Sequence, residues 1–368
     1  MSRRCTRFII IVVLVIICVA LISVINVGEL SVAAASGVYG EKSTSYSKSG
    51  MRFNASERTG RFSNDNMSSF YRKSKYTMGY ELKVNLSLDS CQAVPDLLVG
   101  RLKIDFEAAL KSAPPPAAHD VLPGGAWSPN SCVARQRIAI IIPFRDRQKH
   151  LDILLYYLVP VLTRQQVAFQ VFVVEQYGNK AFNKGRLMNI GFTEARKHDE
   201  FDCFIFHDVD LIPEDDRNMY TCSENPRHMS PAVDKLGYKL PYKALVGGVL
   251  SIKPEHYSRV NGYSNLYWGW GAEDDDMYYR LSASKISVLR PPFTIGRYKM
   301  IKHDRKEVSP AKVRYYLLRT VRKRFLKDGL NTLEYRLVDT RLEKLYTRIV
   351  ADVGDPPKNS DKISAFVT

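Results

Sequence analysis

Two groups of acidic residues are candidates for chemistry. The stretch WGWGAEDDD, from Trp268 to Asp276, places four adjacent acids after a glycine-tryptophan repeat. Adjacent carboxylates repel one another, so such a run needs neutralising partners. The simpler interpretation is a surface loop that ends in a helix N-terminus, where acids suit the helix dipole. The alternative is a functional cluster, and the rest of the chain has to decide between the two.

The second group is the pair Asp208 and Asp210, which closes the apolar stretch CFIFHDVD. In extended backbone, side chains two residues apart project to the same side. Two such carboxylates are unfavourable unless a cation or a hydrogen-bond donor neutralises them. Hard divalent cations take oxygen ligands and bridge phosphates, so the pair predicts a metal site for a diphosphate substrate. A turn in which an aspartate caps Pro213 and Glu214 is the alternative.

Basic residues could complete a phosphate site. Arg145 and Arg147 follow an apolar run within PFRDR, and guanidinium groups suit phosphate and carboxylate. Ordinary surface charge is the alternative. His303 in RYKMIKHD is a candidate metal ligand, although a single histidine in a basic stretch also fits a surface role. Met300, in the same stretch, is by itself typical of a core position.

The elements that must position these residues form an alternating pattern. RIAIIIPF (137–144), FQVFVVE (169–175) and CFIFHDVD (203–210) read as strands that are covered on both faces. Residues 150–162 and 183–198, between them, have helical spacing. This order implies parallel pairing and an α/β sheet, in which ligands bind at the carboxyl ends of the strands. The acid pair and the PFRDR arginines would therefore share one sheet edge.

The N-terminal region predicts a membrane anchor. Phe8 to Ile25 is an apolar run of eighteen residues without a charge. A helix of this length is about the shortest that can cross a bilayer. Arginines precede it, so the positive-inside rule places residues 1–7 in the cytosol and 8–27 in the membrane. Residues 28–88 contain few large aliphatic side chains and predict a disordered stem. A cleaved signal peptide is the alternative to a retained anchor.

The net charge, the cysteines and the sequons are consistent with a chain that lies mostly in the lumen. The formal net charge of +16 would elsewhere suggest a nucleic-acid partner, but a lumenal chain meets no nucleic acid. A solvated surface, or attraction to anionic nucleotides, explains the charge instead. Four cysteines beyond the anchor form an even set, as expected in an oxidising compartment. Sequons predict N-glycosylation of the stem at Asn54, Asn66 and Asn85.

Five motifs, in this order and spacing, resemble the animal β-1,4-galactosyltransferase family, and most closely its invertebrate β-1,4-N-acetylgalactosaminyltransferase branch. They are PFRDR, FNKGRLMNIGF, FHDVDLIP, NGYSNLYWGWGAEDDD and RYKMIKH. The resemblance implies a GT-A-type α/β domain over residues 89–355, with a Rossmann-like mixed sheet flanked by helices and a flexible tail at 356–368. It also implies a type II Golgi membrane protein whose catalytic domain is lumenal, acting as an inverting, metal-dependent glycosyltransferase.

The resemblance also assigns individual roles. The catalytic base would be Asp274. The Mn²⁺ ligands would be Asp210, Met300 and His303. The nucleotide would be bound by Arg145, Arg147, Phe182 and Asp208. The donor sugar and acceptor would be bound by Leu245, Trp270, Glu273 and Asp275, with the tryptophan on a mobile loop. The family disulfides would be Cys91–Cys132 and Cys203–Cys222. Lys235 matches a site position without an assigned role.

Three departures from the family pattern bear on specificity. Leu245 stands where galactose-specific members have a tyrosine shortly before the double glycine, which implies room for an N-acetyl group on the donor. Alternatively, this leucine only packs a strand. Lys184 replaces an arginine and so lacks the bidentate fork. Ser309 to Leu318 differs from the family segment that shapes the acceptor pocket.

The sequence therefore predicts transfer of N-acetylgalactosamine from UDP-GalNAc to terminal GlcNAc, in β1-4 linkage, on glycoproteins or glycolipids. One alternative is a β-1,4-galactosyltransferase that uses UDP-galactose with the same acceptor. The other is a non-catalytic membrane-anchored lectin. The presence of Asp210, Asp274 and His303 argues against the lectin, because a chain without activity would be expected to lose one of them.

Overall fold

A computed structural model describes residues 88–112, 116–302 and 308–357 of the chain. The predicted membrane anchor, the stem with its three sequons and most of the predicted C-terminal tail lie outside these ranges, as does His303. Across the described ranges, no helix is both long enough and apolar enough to cross a membrane.

The described strands and helices alternate from Arg137 to His207, and a series of short strands follows. The helices are α1 (Phe106–Lys111), α2 (Gln148–Arg164), α3 (Lys184–His198), α4 (Pro254–Arg259), α5 (Glu273–Ala283) and α6 (Ala311–Arg324). The strands are β1 (Ala126–Trp127), β2 (Arg137–Phe144), β3 (Ala168–Gln176), β4 (Cys203–His207), β5 (Leu211–Pro213), β6 (Arg227–His228), β7 (Ala232–Val233), β8 (Val249–Ile252), β9 (Arg297–Met300), β10 (Arg336–Leu342) and β11 (Thr347–Asp352).

Most of these strands belong to one mixed sheet. Its order is β10-β11-β3-β2-β4-β8-β6, and β1 also pairs with β3. The neighbours β11, β3, β2 and β4 are parallel, whereas β10, β8 and β6 pair antiparallel. The helix α2 connects β2 to β3, and α3 connects β3 to β4, as parallel neighbours require. The predicted α/β sheet, with helices between its parallel strands, is therefore confirmed.

The central strand β2 separates two core layers. Ile138, Ile140 and Ile142 pack in the cluster that contains the leucines of α2. Ala139 and Ile141 pack in the cluster that contains the apolar side of α3. Because side chains alternate across a strand, a continuous apolar run is needed to fill both layers. Each buried isoleucine contributes roughly 1.5–3 kcal/mol, so this strand fixes the sheet on which the site is built.

The backbone at Asp208–Asp210 differs from the sequence prediction. The strand β4 ends at His207, and the chain turns there, with the Leu211 nitrogen donating to the Asp208 carbonyl at 3.3 Å. It then enters a second, three-stranded sheet with the order β5-β9-β7. The prediction of extended backbone through both aspartates is therefore wrong, because the chain changes sheets at this point.

Both predicted disulfides are formed. Cys91 is bonded to Cys132, and Cys203 to Cys222. The second bond joins residues 19 apart and closes the loop that contains Asp208 and Asp210. A cross-link of this span removes chain entropy from the unfolded state, which stabilises the loop by roughly 3 kcal/mol.

Candidate active site

Lys184 joins the two acidic groups. Its Nζ lies 2.9 Å from Oδ1 of Asp208 and 2.9 Å from Oδ2 of Asp274. Oε1 of Glu273 is 3.5 Å away. The acid that follows β4 and the WGWGAEDDD run therefore belong to one site, although they are far apart in the sequence. In the sequence, Lys184 is visible only as a departure from the family pattern, and its bridging position is not.

Local structure at three chain segments aims these side chains at one another. Asn183 caps α3 by accepting from the Arg186 nitrogen at 2.9 Å, so Lys184 occupies the first helical turn. Asp208 directly follows β4, and its nitrogen donates to the Gly248 carbonyl at 2.9 Å. Glu273 begins α5, where acids suit the helix dipole. The run begins a helix, as the simpler interpretation expects, but Glu273 and Asp276 are buried, so the run is not a surface loop. The same run also lines the site.

Burial and neighbouring charges together shift the pKa values in this cluster. Burial alone would lower the pKa of Lys184, but the surrounding carboxylates raise it well above its ordinary value. Burial raises the pKa of Asp208 to about 7, against the opposing effect of the lysine. Burial and the charge of Asp274 raise the pKa of Glu273 to about 7. Three carboxyl groups share one lysine, an arrangement that favours a further cation or additional hydrogen-bond donors.

Two carboxylate oxygens of the run have no partner within the protein. Within the described part of the chain, Oε2 of Glu273 and Oδ1 of Asp275 are buried without a hydrogen-bond partner. Burial raises the pKa of Asp275 to about 6, against the opposing hydrogen bond from Tyr242. Buried polar atoms normally have partners, so these oxygens suit the hydroxyl groups of a bound sugar.

The fourth acid, Asp276, has a structural environment. It is fully buried and pairs with Arg280 at 2.5 Å and with Arg324. Both arginines also pair with Asp328, and the Tyr267 hydroxyl donates to Asp276 at 3.0 Å. This buried ionic group (Asp276, Arg280, Arg324 and Asp328) fixes α5 against α6, so the helix that begins with Glu273 is held rigidly.

A glycine-containing segment lies against Asp274. A Cβ atom at Gly247 would lie 2.6 Å from Oδ2 of this aspartate, so a side chain at that position would displace the Asp274 carboxylate. Leu245, two residues earlier, is half-buried, and its carbonyl accepts from Arg290 at 3.0 Å. Burial lowers the pKa of His228 to about 3, so the neutral ring donates from Nε2 to the Gly247 carbonyl at 2.9 Å. Sequence reasoning missed both supporting residues, because nothing in their spacing links them to this segment.

Arg145, Phe182 and the tryptophan loop form a second group. The Arg145 guanidinium lies 5.1 Å from the centre of the Phe182 ring. The Phe182 carbonyl accepts from the Gly269 nitrogen at 2.8 Å, which attaches the loop to this side of the site. Gly269 and Gly271 have φ values of 82° and 114°, which glycine adopts readily. Trp270, between them, is 48% exposed.

Two of the three predicted metal ligands are neighbours. The Ile301 nitrogen donates to the Asp210 carbonyl at 2.8 Å, and Met300 pairs with Leu211 between β9 and β5. His303 lies outside the described ranges. Among the described residues, no group of three His, Cys, Asp or Glu side chains could hold a metal ion. The buried carboxylate of Asp210 fits a hard cation, whereas a thioether is an unusual ligand for one.

The remaining predicted site residues lie at the margins. Arg147 is half-buried at the N-cap of α2, on the same sheet edge as Arg145. Lys235 is exposed, and its nitrogen donates to Oδ1 of Asp234 at 2.7 Å. The same Asp234 oxygen accepts from the Met300 nitrogen at 2.9 Å, so Lys235 lies beside the β9 strand and not among the acids.

The chain is similar in sequence to known glycosyltransferases. Residues 91–223 match the N-terminal region of glycosyl transferase group 7, and residues 227–304 match the N-terminal domain of galactosyltransferase. Mouse (Mus musculus) β-1,4-galactosyltransferase 1 is 44% identical over 278 residues, which cover 74% of this chain and 68% of the relative. Human (Homo sapiens) β-1,4-galactosyltransferase 2 is 43% identical over 266 residues, which cover 72% of each chain.

The chain is also similar in structure to a solved β1,4-galactosyltransferase. The catalytic domain of Drosophila β1,4-galactosyltransferase 7, in complex with xylobiose, aligns with a TM-score of 0.53 and 28% identity, covering 62% of this chain and 98% of that chain. A mutant of that protein, solved with manganese, UDP-Gal and xylobiose, aligns with a TM-score of 0.52. The fold and site define a glycosyltransferase with a GT-A-like mixed α/β fold. The chain belongs to the β-1,4-galactosyltransferase family, as the motifs predict.

Proposed function

We propose that this chain is an inverting β-1,4-glycosyltransferase that transfers a galactose-type sugar from a UDP donor to terminal GlcNAc on glycoproteins or glycolipids. The observation that carries the proposal is the contact of Lys184 with both Asp208 and Asp274, each at 2.9 Å. It supports a single site in which the nucleotide-side acid and the acid run act on one substrate pair.

The residues of the site have complementary tasks in this proposal. Asp274 accepts the proton of the acceptor hydroxyl as that oxygen attacks the donor sugar. Lys184 holds this carboxylate in place, and Glu273 and Asp275 accept from sugar hydroxyls. The Trp270 ring covers the donor and excludes water. Attack from the face opposite the leaving group inverts the anomeric centre, so an α-linked donor gives a β-linked product.

Manganese is the metal we propose, held by Asp210, Met300 and His303. A bound divalent ion would neutralise the departing diphosphate. The proposal draws on the Drosophila relative solved with manganese and on the excess of carboxylates over cations around Lys184. We also propose that the N-terminal segment anchors the chain as a type II protein of the Golgi membrane.

UDP-galactose is the donor that the relatives favour. The similar curated proteins are galactosyltransferases by name, and one solved relative is bound to UDP-Gal. This weighs against the sequence prediction of N-acetylgalactosamine. That sugar stays as the second candidate because Leu245 leaves more room than a tyrosine, in a segment that also contacts Asp274.

A donor comparison tests both candidates. The full-length chain in detergent receives manganese, a GlcNAc-terminated acceptor and either UDP-galactose or UDP-GalNAc, and kcat/KM is measured for each. A higher value with UDP-galactose supports the first candidate, and a higher value with UDP-GalNAc supports the second. Leu245→Tyr should shift the ratio toward galactose. Absence of transfer from both donors would refute the proposed reaction.

The assignment of the base has its own test. Asp274→Asn should abolish turnover but leave donor binding nearly intact, because the amide cannot accept the hydroxyl proton. Donor binding is followed by calorimetry and turnover by product formation. Retained turnover would contradict the role of Asp274.

A further inference from the structure

One side of α6 is a continuous basic surface. Its exposed residues, which we call the basic face, are Lys312, Tyr315, Arg319, Arg322 and Lys323. Tyr315 is 65% exposed. Leu317 and Val321 are buried on the opposite side of the helix.

The spacing of these residues places them on one stripe. Residues seven and four apart along a helix lie on the same face, so Lys312, Arg319 and Lys323 are aligned. Tyr315 and Arg322 are also seven apart and flank this line. At a rise of about 1.5 Å per residue, the basic face extends over roughly 17 Å. That length matches a few sugar units of an extended glycan more closely than a single small ion.

The charges of the basic face are not neutralised locally. The helix sequence AKVRYYLLRTVRKR contains no acidic residue. Among the described residues, no ion pair joins the four cations of the face to an acid, whereas the neighbouring Arg324 is paired twice on the buried side. An unneutralised stripe of this kind attracts a polyanion, and arginine forks suit sulfate, carboxylate and phosphate groups.

The basic face borders the candidate active site. The Ser309 nitrogen donates to the Trp270 carbonyl at 3.2 Å, just before α6 begins. A Cβ atom at Gly271 would lie 2.9 Å from Nη1 of Arg314, in the first turn of the helix. The helix α6 therefore starts against the loop that leads into Glu273. The rest of a glycan whose terminal sugar is bound at the active site can extend along this helix.

We propose that the basic face binds an acidic glycan that carries the acceptor sugar, and so favours anionic over neutral acceptors; this rests on the proposed function. Tyr315 supplies an aromatic surface on which a sugar ring packs. The surface of a lipid bilayer is a less suitable partner for the basic face. Membrane-surface helices expose an apolar face, whereas the apolar side of α6 is buried in the protein.

The test compares two acceptors with the same terminal sugar, one neutral and one sulfated. The variant combines Arg319→Gln, Arg322→Gln and Lys323→Gln, which lie outside the segment Ser309 to Leu318. The matched control combines Lys103→Gln, Lys111→Gln and Lys344→Gln, which are equally exposed and remove equal charge. For the full-length wild type at low salt, we expect kcat/KM for the sulfated acceptor to exceed that for the neutral one by about tenfold, falling as salt is added.

The variant should lose this preference while its activity on the neutral acceptor stays unchanged, and the control should keep it. A wild type without preference, or a variant that retains it, would overturn the proposal. An equal loss on both acceptors would also overturn it, because the residues would then serve the common reaction. Vesicle binding that depends on phosphatidylserine and is weaker in the variant than in the control, with no acceptor preference, would favour the membrane instead.

A direct binding measurement separates this proposal from the proposed function. Calorimetry with the sulfated oligosaccharide should show weaker binding to the variant than to the control, even if the chain transfers no sugar. Equal binding by all three proteins would refute the basic face as a glycan site, whatever the outcome of the donor comparison.

Discussion

The buried ionic group gives a sharp stability prediction. Arg324 pairs with Asp276 and Asp328, and all three side chains are fully buried. Arg324→Met keeps much of the volume but leaves two carboxylates with only Arg280 as a cationic partner. Breaking a buried pair by removing one member costs about 3–5 kcal/mol, because the remaining charge has lost its water as well as its partner.

The thermal shift follows from the size of the domain. Each kcal/mol lowers the melting temperature of a domain of this size by roughly 2–4 °C, so Arg324→Met should lower it by at least about 6 °C. Arg322→Met is the matched control, because Arg322 lies on the exposed side of the same helix. Its free energy of unfolding should change by no more than about 0.5 kcal/mol.

A double-mutant cycle tests the pairing itself. Asp276→Asn alone should also destabilise, whereas the double variant should be less destabilised than the sum, with a coupling of about 0.5–3 kcal/mol. Unfolding is followed by tryptophan fluorescence in urea with the disulfides intact. Additive effects, or an Arg324→Met variant as stable as Arg322→Met, would refute the view that this group holds α5 on α6.

Three further predictions concern the site. Lys184→Met should lower kcat/KM by about 10²–10³-fold, since the half-buried Asp274 loses its cationic partner. Lys197→Met, on the exposed side of α3, should have little effect, and equal activities of the two variants would contradict this. Arg290→Gln should alter the ratio of kcat/KM for the two donors, because the Leu245 carbonyl loses a donor at 3.0 Å, and an unchanged ratio would count against this positioning role. Ala272 has φ of 76°, so Ala272→Gly should raise the free energy of unfolding by up to about 1 kcal/mol in urea titrations; destabilisation would show that the alanine is not strained.

The sequence predicts the sheet well and the details of the site less completely. The run RIAIIIPF predicts β2 with its observed bounds, because arginines border an uninterrupted apolar segment that must fill two core layers. The DVD segment is different. Its two aspartates follow a strand in the sequence, but whether the chain continues or turns there depends on pairing of β5 with β9, some ninety residues later in the chain.

Lys184 shows the same limit within the site. Its position after a helix-capping asparagine is visible in the sequence, and so is its charge. Its three carboxylate partners are not, because they come from the end of β4 and the start of α5, which only the tertiary fold brings together. The pairs Asp276–Arg280 and Arg324–Asp328 are each four apart and could be anticipated, whereas the cross pair between Asp276 and Arg324 could not.

The acidic run is stable because its members do not share one environment. Glu273 and Asp274 face Lys184, Asp275 faces Tyr242, and Asp276 faces Arg280 and Arg324. A helix places consecutive side chains about 100° apart, so four adjacent acids reach several different partners. Glu273 and Asp274 give the site more negative than positive charge, because they share the single cation of Lys184. Asp276 is neutralised by arginines inside the protein. Moving Asp276 by one position would separate it from Arg280 and Arg324 and so disrupt the anchor of α5 on α6, while Asp274 would keep its contact with Lys184.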